Sequence, residues 1–172
     1  MKIKTLEWIG FFGVFAIGAF LYFAYDLFDH HLFIAAIAPV NNSIWELLKI
    51  PFFSMLLYGM IVYLLAKGEK HNLLLAKTIS AIVTTVFSLM IYFGYTSLFE
   101  DHIAINAVVF FVSLVIGQFF SIGMLSIKSR LSGFNFVSLL LLCALIIVFT
   151  SYTHQPPTHD FFKDPDTGSY GR

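Results

Sequence analysis

Ala38-Pro39-Val40-Asn41-Asn42-Ser43-Ile44-Trp45-Glu46-Leu47-Leu48-Lys49-Ile50-Pro51 sets amides, a carboxylate and an ammonium at the head of an apolar run that continues to Ala66. Ser43 and Glu46 have the spacing of a capping box, in which each side chain satisfies the other's unpaired backbone N–H. A helix is therefore expected to start there. Roughly 20 apolar residues at 1.5 Å rise cross the ~30 Å core of a bilayer. The run 43–66 meets that length, so the stretch is the entrance to a membrane span. Pro51 cannot donate to the carbonyl of Leu47, which predicts a kink one turn in.

Four more runs of the same kind flank it, at about 6–25, 73–99, 103–127 and 134–152. The composition agrees: 59% of the residues are hydrophobic and 12% charged, with a mean hydropathy of +0.85. Soluble proteins carry about 25% charged residues. The expected fold is all-α, a multi-pass cell-membrane bundle of five transmembrane helices over 1–152, followed by a polar tail over 153–172. The tail has turn chemistry, Pro156-Pro157 and Asp164-Pro165-Asp166-Thr167-Gly168, and no apolar period. In the first run Gly10, Gly13, Ala16 and Ala19 form a stripe of small residues where another helix could approach.

Charge placement orients the bundle. Lys2, Lys4, Lys67, Lys70, Lys77, Lys128 and Arg130, seven of the ten basic residues, fall at the amino terminus and in the second and fourth loops. The positive-inside rule then puts the amino terminus in the cytoplasm and the tail outside. Eight of the ten acids and five of the six histidines go to the outer face with it. A formal net charge of zero leaves no basic surface for nucleic acid. The single cysteine, Cys143, excludes an intramolecular disulfide. No Gly-x-Ser-x-Gly elbow or glycine-rich phosphate loop is present.

Two constellations can carry chemistry. The first is a polar outer-leaflet site of Asn41, Asn42, Ser43, Trp45, Glu46 and Lys49, with Asn106 and Gln118 opposite. Glu46 and Lys49, three residues apart, share a helix face and can pair. Trp45 suits the headgroup level. The second is His30, His31, His102 and His154 with the neighbouring acids, a ligand set suited to a transition metal. No pair of these histidines has a diagnostic metal spacing, and solvated loop residues are the favoured reading of them.

The stretch Pro39-Val40-Asn41-Asn42-Ser43-Ile44-Trp45-Glu46-Leu47-Leu48-Lys49 resembles the hallmark of an uncharacterised family of small prokaryotic integral membrane proteins. That hallmark reads approximately Pro-Val-Asn-Glu-Ser-(Val/Ile)-Trp-Glu-His-Leu-Lys, ahead of an apolar run with an early proline. Tyr22-Phe23-Ala24-Tyr25-Asp26 is similar to the family's His-Phe-x-Tyr-Glu, and Asn106 to Phe110 to an Asp-Ile-x-x-Phe pattern. The tail, with Asp164-Pro165 and Tyr170-Gly171, is similar to the family's ending. The resemblance implies no activity. It does imply that a His and acid set elsewhere in the family is largely dismantled here, since Tyr22 and Leu47 stand for histidines and Asn42 and Asn106 for acids.

The expected function is a non-enzymatic membrane component that binds a lipid, a small ligand or a partner subunit, homo-oligomers included, through the site at 41–49. The alternative is a membrane-embedded enzyme, metal-dependent in one version, using His30, His31, Glu46, His102 or His154.

Overall fold

Lipid offers no partners to backbone N–H and C=O groups, so apolar runs of this length satisfy them internally, as helices. The computed structural model, which describes residues 1–68, 70–131 and 133–172, has five helices long and apolar enough to cross a membrane. In chain order the elements are α1 (Ile3–Leu27), α2 (Leu32–Ala35), α3 (Ile44–Leu47), α4 (Lys49–Leu65), α5 (Leu73–Thr96), α6 (Ile103–Ser126) and α7 (Gly133–His154). A single 3-10 turn, Asp160–Phe162, follows. The described residues contain no strand, only isolated bridges between Lys2 and Lys67 and between Lys163 and Tyr170. Large apolar side chains such as Phe12, Leu64, Met90, Phe136 and Ile147 point outward, as suits a surface covered by lipid.

α1, α4, α5 and α6 form a ring in which each packs on its two neighbours, and α7 leans on α5 from outside. Short connections make α4, α5, α6 and α7 successively antiparallel. The close approach of α1 to α4 and α6 is made by glycines. A Cβ at Gly13 would sit 2.5 Å from the ring of Tyr58, and one at Gly10 would run into Gln118. The small-residue stripe is therefore used within the chain at Gly10 and Gly13 and is continued by Gly18, against Phe110, while Ala16 and Ala19 are exposed.

The second span does break where proline demands it. Pro51 has no N–H for the carbonyl of Leu47, and the helix is interrupted at Leu48, between α3 and α4. Half of the capping box forms. Ser43 Oγ accepts from Glu46 N–H at 3.3 Å, whereas the Glu46 carboxylate turns away to accept from Val40 N–H at 3.1 Å.

The loop between α1 and α3 tucks inward. The chain leaves α1 through Asp29 and His30, both in the left-handed region, which these residue types tolerate better than most. Ala35 and Ala38 are then fully buried. The tail docks on the same end of the bundle: Asn41 Nδ2 donates to Gly171 O, Asn42 Nδ2 to Asp166 Oδ2, and Arg172 N to Thr153 O, all within 2.9 Å.

Candidate functional site

Between the upper halves of α1, α4, α5 and α6 lies a cavity of about 520 Å³. Its size suits a small-molecule site, typically 300–1,000 Å³. Phe15, Gly18, Ile50, Pro51, Leu89 and Phe110 make an apolar floor and walls. Tyr22, Asn42, Tyr92, Asp101, Asn106 and Asp166 gather at the mouth. From Phe15 to Tyr22 the cavity follows about 10 Å of helix axis at 1.5 Å per residue.

The lining is a helical face. Ile44, Leu47, Leu48 and Pro51 recur at i, i+3, i+4 and i+7, so they look into the cavity together. The same rotation sends Trp45, Glu46 and Lys49 the other way. On α5, Lys77, Ser80, Thr84 and Ser88 recur every three or four residues and are buried, a polar stripe facing the bundle interior. Ser88 belongs to the cavity wall; it is 8% exposed, and its hydroxyl has no hydrogen-bond partner.

The mouth is held by a network centred on Asp101. Its carboxylate accepts from Tyr92 at 3.0 Å, from Tyr95 at 2.7 Å and from Asn106 Nδ2 at 2.8 Å. Tyr95 also reaches Asn106 Oδ1. Burial raises the Asp101 carboxyl, but the bonds from Tyr95, Asn106 and Tyr92 together outweigh it and hold the group below the ordinary aspartate value. Across the mouth, Tyr22 donates to Asn42 Oδ1 at 3.4 Å.

The sequence groups Glu46 and Lys49 with Asn41, Asn42, Asn106 and Gln118 in one polar site; in the structure Glu46 and Lys49 are not among the residues that line the cavity. They pair at 2.6 Å with relative exposures of 1% and 0%. Lys49 Nζ also donates to the carbonyls of Ala35 and Ala38 at 2.7 and 3.3 Å, which uses all three of its protons. Glu46 Oε1 accepts from Thr153 Oγ1 at 2.8 Å. The pair is a cross-link that ties the inward loop, α3 and α7 together, and it satisfies backbone carbonyls that lipid could not. Trp45 lies on the same side, its ring packed on Phe149, Tyr152 and Phe162 and its buried N–H unpartnered, so it is not a wet interfacial anchor. Asn41 Nδ2 donates to Gly171 O of the tail, and Asn41 Oδ1 accepts from Ser43 N–H.

Of the two α6 residues expected opposite, Asn106 is at the mouth, but Gln118 is 12 positions further on, about 18 Å along the axis. There it joins a second buried pair at the other end of the bundle. Glu7 Oε2 accepts from Lys77 Nζ at 2.8 Å, Gln118 Nε2 at 2.9 Å and Ser121 Oγ at 2.8 Å. Lys77, counted as a loop charge from sequence, is thus inside α5 and 4% exposed, with the Tyr58 ring beside it. The polar stripe on α5 was the available signal for it and for Ser88.

His30, His31, His102 and His159 have local partners. The Nδ1 atoms of His31 and His102 cap α2 and α6 by accepting from Phe33 N and Ala104 N, and His159 does the same for the 3-10 turn. His30 lies 3.2 Å from Asp26, and His154 is exposed at the end of α7. Among the described residues no three His, Cys, Asp or Glu side chains come together to hold a metal ion.

One family model matches the chain, over residues 2–172, and its description is a family of unknown function (DUF6512). No curated protein and no solved structure matches the chain.

Proposed function

The chain belongs to the DUF6512 family of unknown function, and from that starting point we propose that it is a multi-pass membrane protein that holds one amphipathic molecule in the cavity between α1, α4, α5 and α6. The observation that carries the reading is the cavity's polarity gradient. Apolar side chains line its depth and polar groups close its mouth, and Ser88 supplies an unpartnered hydroxyl on the wall. A well-packed interior does not leave space of this size without an occupant or a cost. Phe23, Ile103 and Ala107, on the α1 and α6 sides, are exposed, which suits entry from the lipid phase.

Orientation follows from charge. Lys2, Lys4, Lys67, Lys70, Lys128 and Arg130 lie at the end opposite the mouth, so the cytoplasm is on that side and the cavity opens toward the outer leaflet.

The test is a filled cavity. In Ala107→Trp an indole occupies the mouth side, and binding of a radiolabelled twelve-carbon amphiphile to protein in nanodiscs is expected to fall at least about tenfold, the loss of roughly 1.4 kcal/mol. Ile147→Trp, on the outer face of α7, is expected to bind as the parent does. Equal binding by parent and Ala107→Trp would sink the reading.

A further inference from the structure

We infer that the head of the bound amphiphile is cationic, an alkylammonium on a single chain. The inference rests on the cavity reading above. Asp101 and Asp166 both face the mouth, and no Lys, Arg or His is among the lining residues. Among the described residues neither carboxylate forms an ion pair. Asp101 is held by three neutral donors, and Asp166 by Asn42 Nδ2 on one oxygen alone. Glu7 and Glu46, by contrast, each face a buried lysine. On the flanking segments Arg172 donates to His30 O and His102 Nδ1 accepts from Ala104 N, while Lys163, on the tail ahead of Asp166, is exposed and forms no ion pair with it among the described residues.

The other mouth groups suit the same head. Tyr22 and Tyr92 line the mouth, and tyrosine rings attract quaternary or primary ammonium. The Oδ1 atoms of Asn42 and Asn106 accept hydrogen bonds. The Ser88 hydroxyl, buried and unpartnered, is an independent mark that the space below the mouth takes a ligand. A volume of about 520 Å³ suits one chain rather than the two of a phospholipid.

The experiment compares dodecyltrimethylammonium, dodecyl glucoside and dodecanoate, matched in chain and differing in head, by titration of the full chain in phosphatidylcholine nanodiscs. The cation is expected to bind about tenfold tighter than the glucoside, as two surface charge pairs allow, and dodecanoate weakest. Asp101→Asn with Asp166→Asn is expected to bring the cation within about twofold of the glucoside measured on the same variant. Asp166→Asn alone, on the exposed tail loop, is expected to remove part of the preference and guards against a double variant that does not fold. Equal binding of all three probes overturns the cationic head and leaves the cavity reading standing. If no probe binds in a manner sensitive to Ala107→Trp, the cavity reading itself fails. Loss of the cation's binding when the nanodisc lipid is changed to phosphatidylethanolamine overturns the single-chain assignment in favour of a membrane lipid head.

Discussion

Removing Lys77 and Glu7 singly and together tests one of the two buried ion pairs among the described residues of the bundle. Both groups are nearly inaccessible, at 4% and 2% exposure, so solvent screens their 2.8 Å contact little. Breaking a buried pair from one side costs about 3–5 kcal/mol, because the remaining charge is left uncompensated. Lys77→Met leaves Glu7 with two neutral donors, Gln118 and Ser121, and should cost about that much. Glu7→Leu strands Lys77 and also leaves Ser121 Oγ without its acceptor, adding about 1–3 kcal/mol. Gln118 keeps its bond to the Glu7 backbone carbonyl at 2.7 Å, so it adds little. The double variant carries no buried charge at this site and retains only the Ser121 penalty, about 1–3 kcal/mol. The expected order of stability is therefore Glu7→Leu lowest, Lys77→Met next and the double variant highest of the three. Thermal and denaturant unfolding in detergent micelles, followed by circular dichroism, reads this order. Should Glu7→Leu not accumulate, Lys77→Met against the double variant carries the comparison. A double variant less stable than Lys77→Met would show that the two charges do not depend on each other and would refute the pairing.

Three further outcomes follow from particular contacts. Deleting residues 163–172 removes Gly171 O and Asp166 from Asn41 and Asn42, so amide hydrogen exchange over 41–43 should quicken; unchanged exchange there would mean the tail is not docked. Gly117→Val drives a side chain into Thr84 and the Ser80 carbonyl, at a cost of about 1–3 kcal/mol, whereas Gly123→Ala meets open space and should change stability by less than about 0.5 kcal/mol. Asp101 has its carboxyl lowered in the folded chain, so its stabilisation of the α5–α6 turn is present above the ordinary aspartate value of about 3.9 and is lost as the pH falls through the lower folded value. Nuclear magnetic resonance of Tyr92 and Tyr95 should show their contacts intact near pH 4 and released only below it; release at higher pH contradicts the network, and Asp101→Asn should abolish the transition.

Part of this architecture was legible in the residues. The thickness of a bilayer sets span length, and the backbone must be satisfied within each span, so five apolar runs become five helices. Local chemistry was legible too: Ser43 caps α3, Pro51 breaks the second span, and Glu46 and Lys49 meet across one turn. Each of these depends on residues within about one turn of one another. The side of the helix on which Glu46 and Lys49 lie was open to the same period. Ile44, Leu47, Leu48 and Pro51 mark one face, and the charged pair is on the other.

The candidate site was less legible, because it is assembled from distant segments. Glu7 and Lys77 are 70 residues apart, Asn42 and Asp166 are 124 apart, and nothing in either local pattern names the other. A membrane span announces its length and its polar stripe, but which stripe meets which is decided when the helices pack. Packing here turns on glycines that admit Tyr58 and Gln118, on a loop that folds inward to deliver two carbonyls to Lys49, and on a tail that closes over the mouth. The residues by themselves determined an all-helical membrane bundle and the entrance to its second span, since water, lipid and helical geometry act on each segment alone. Tertiary structure decided that the polar entrance divides, with Asn42 on the cavity side and Glu46 and Lys49 behind the wall, because only packed neighbours can offer a buried charge its partners.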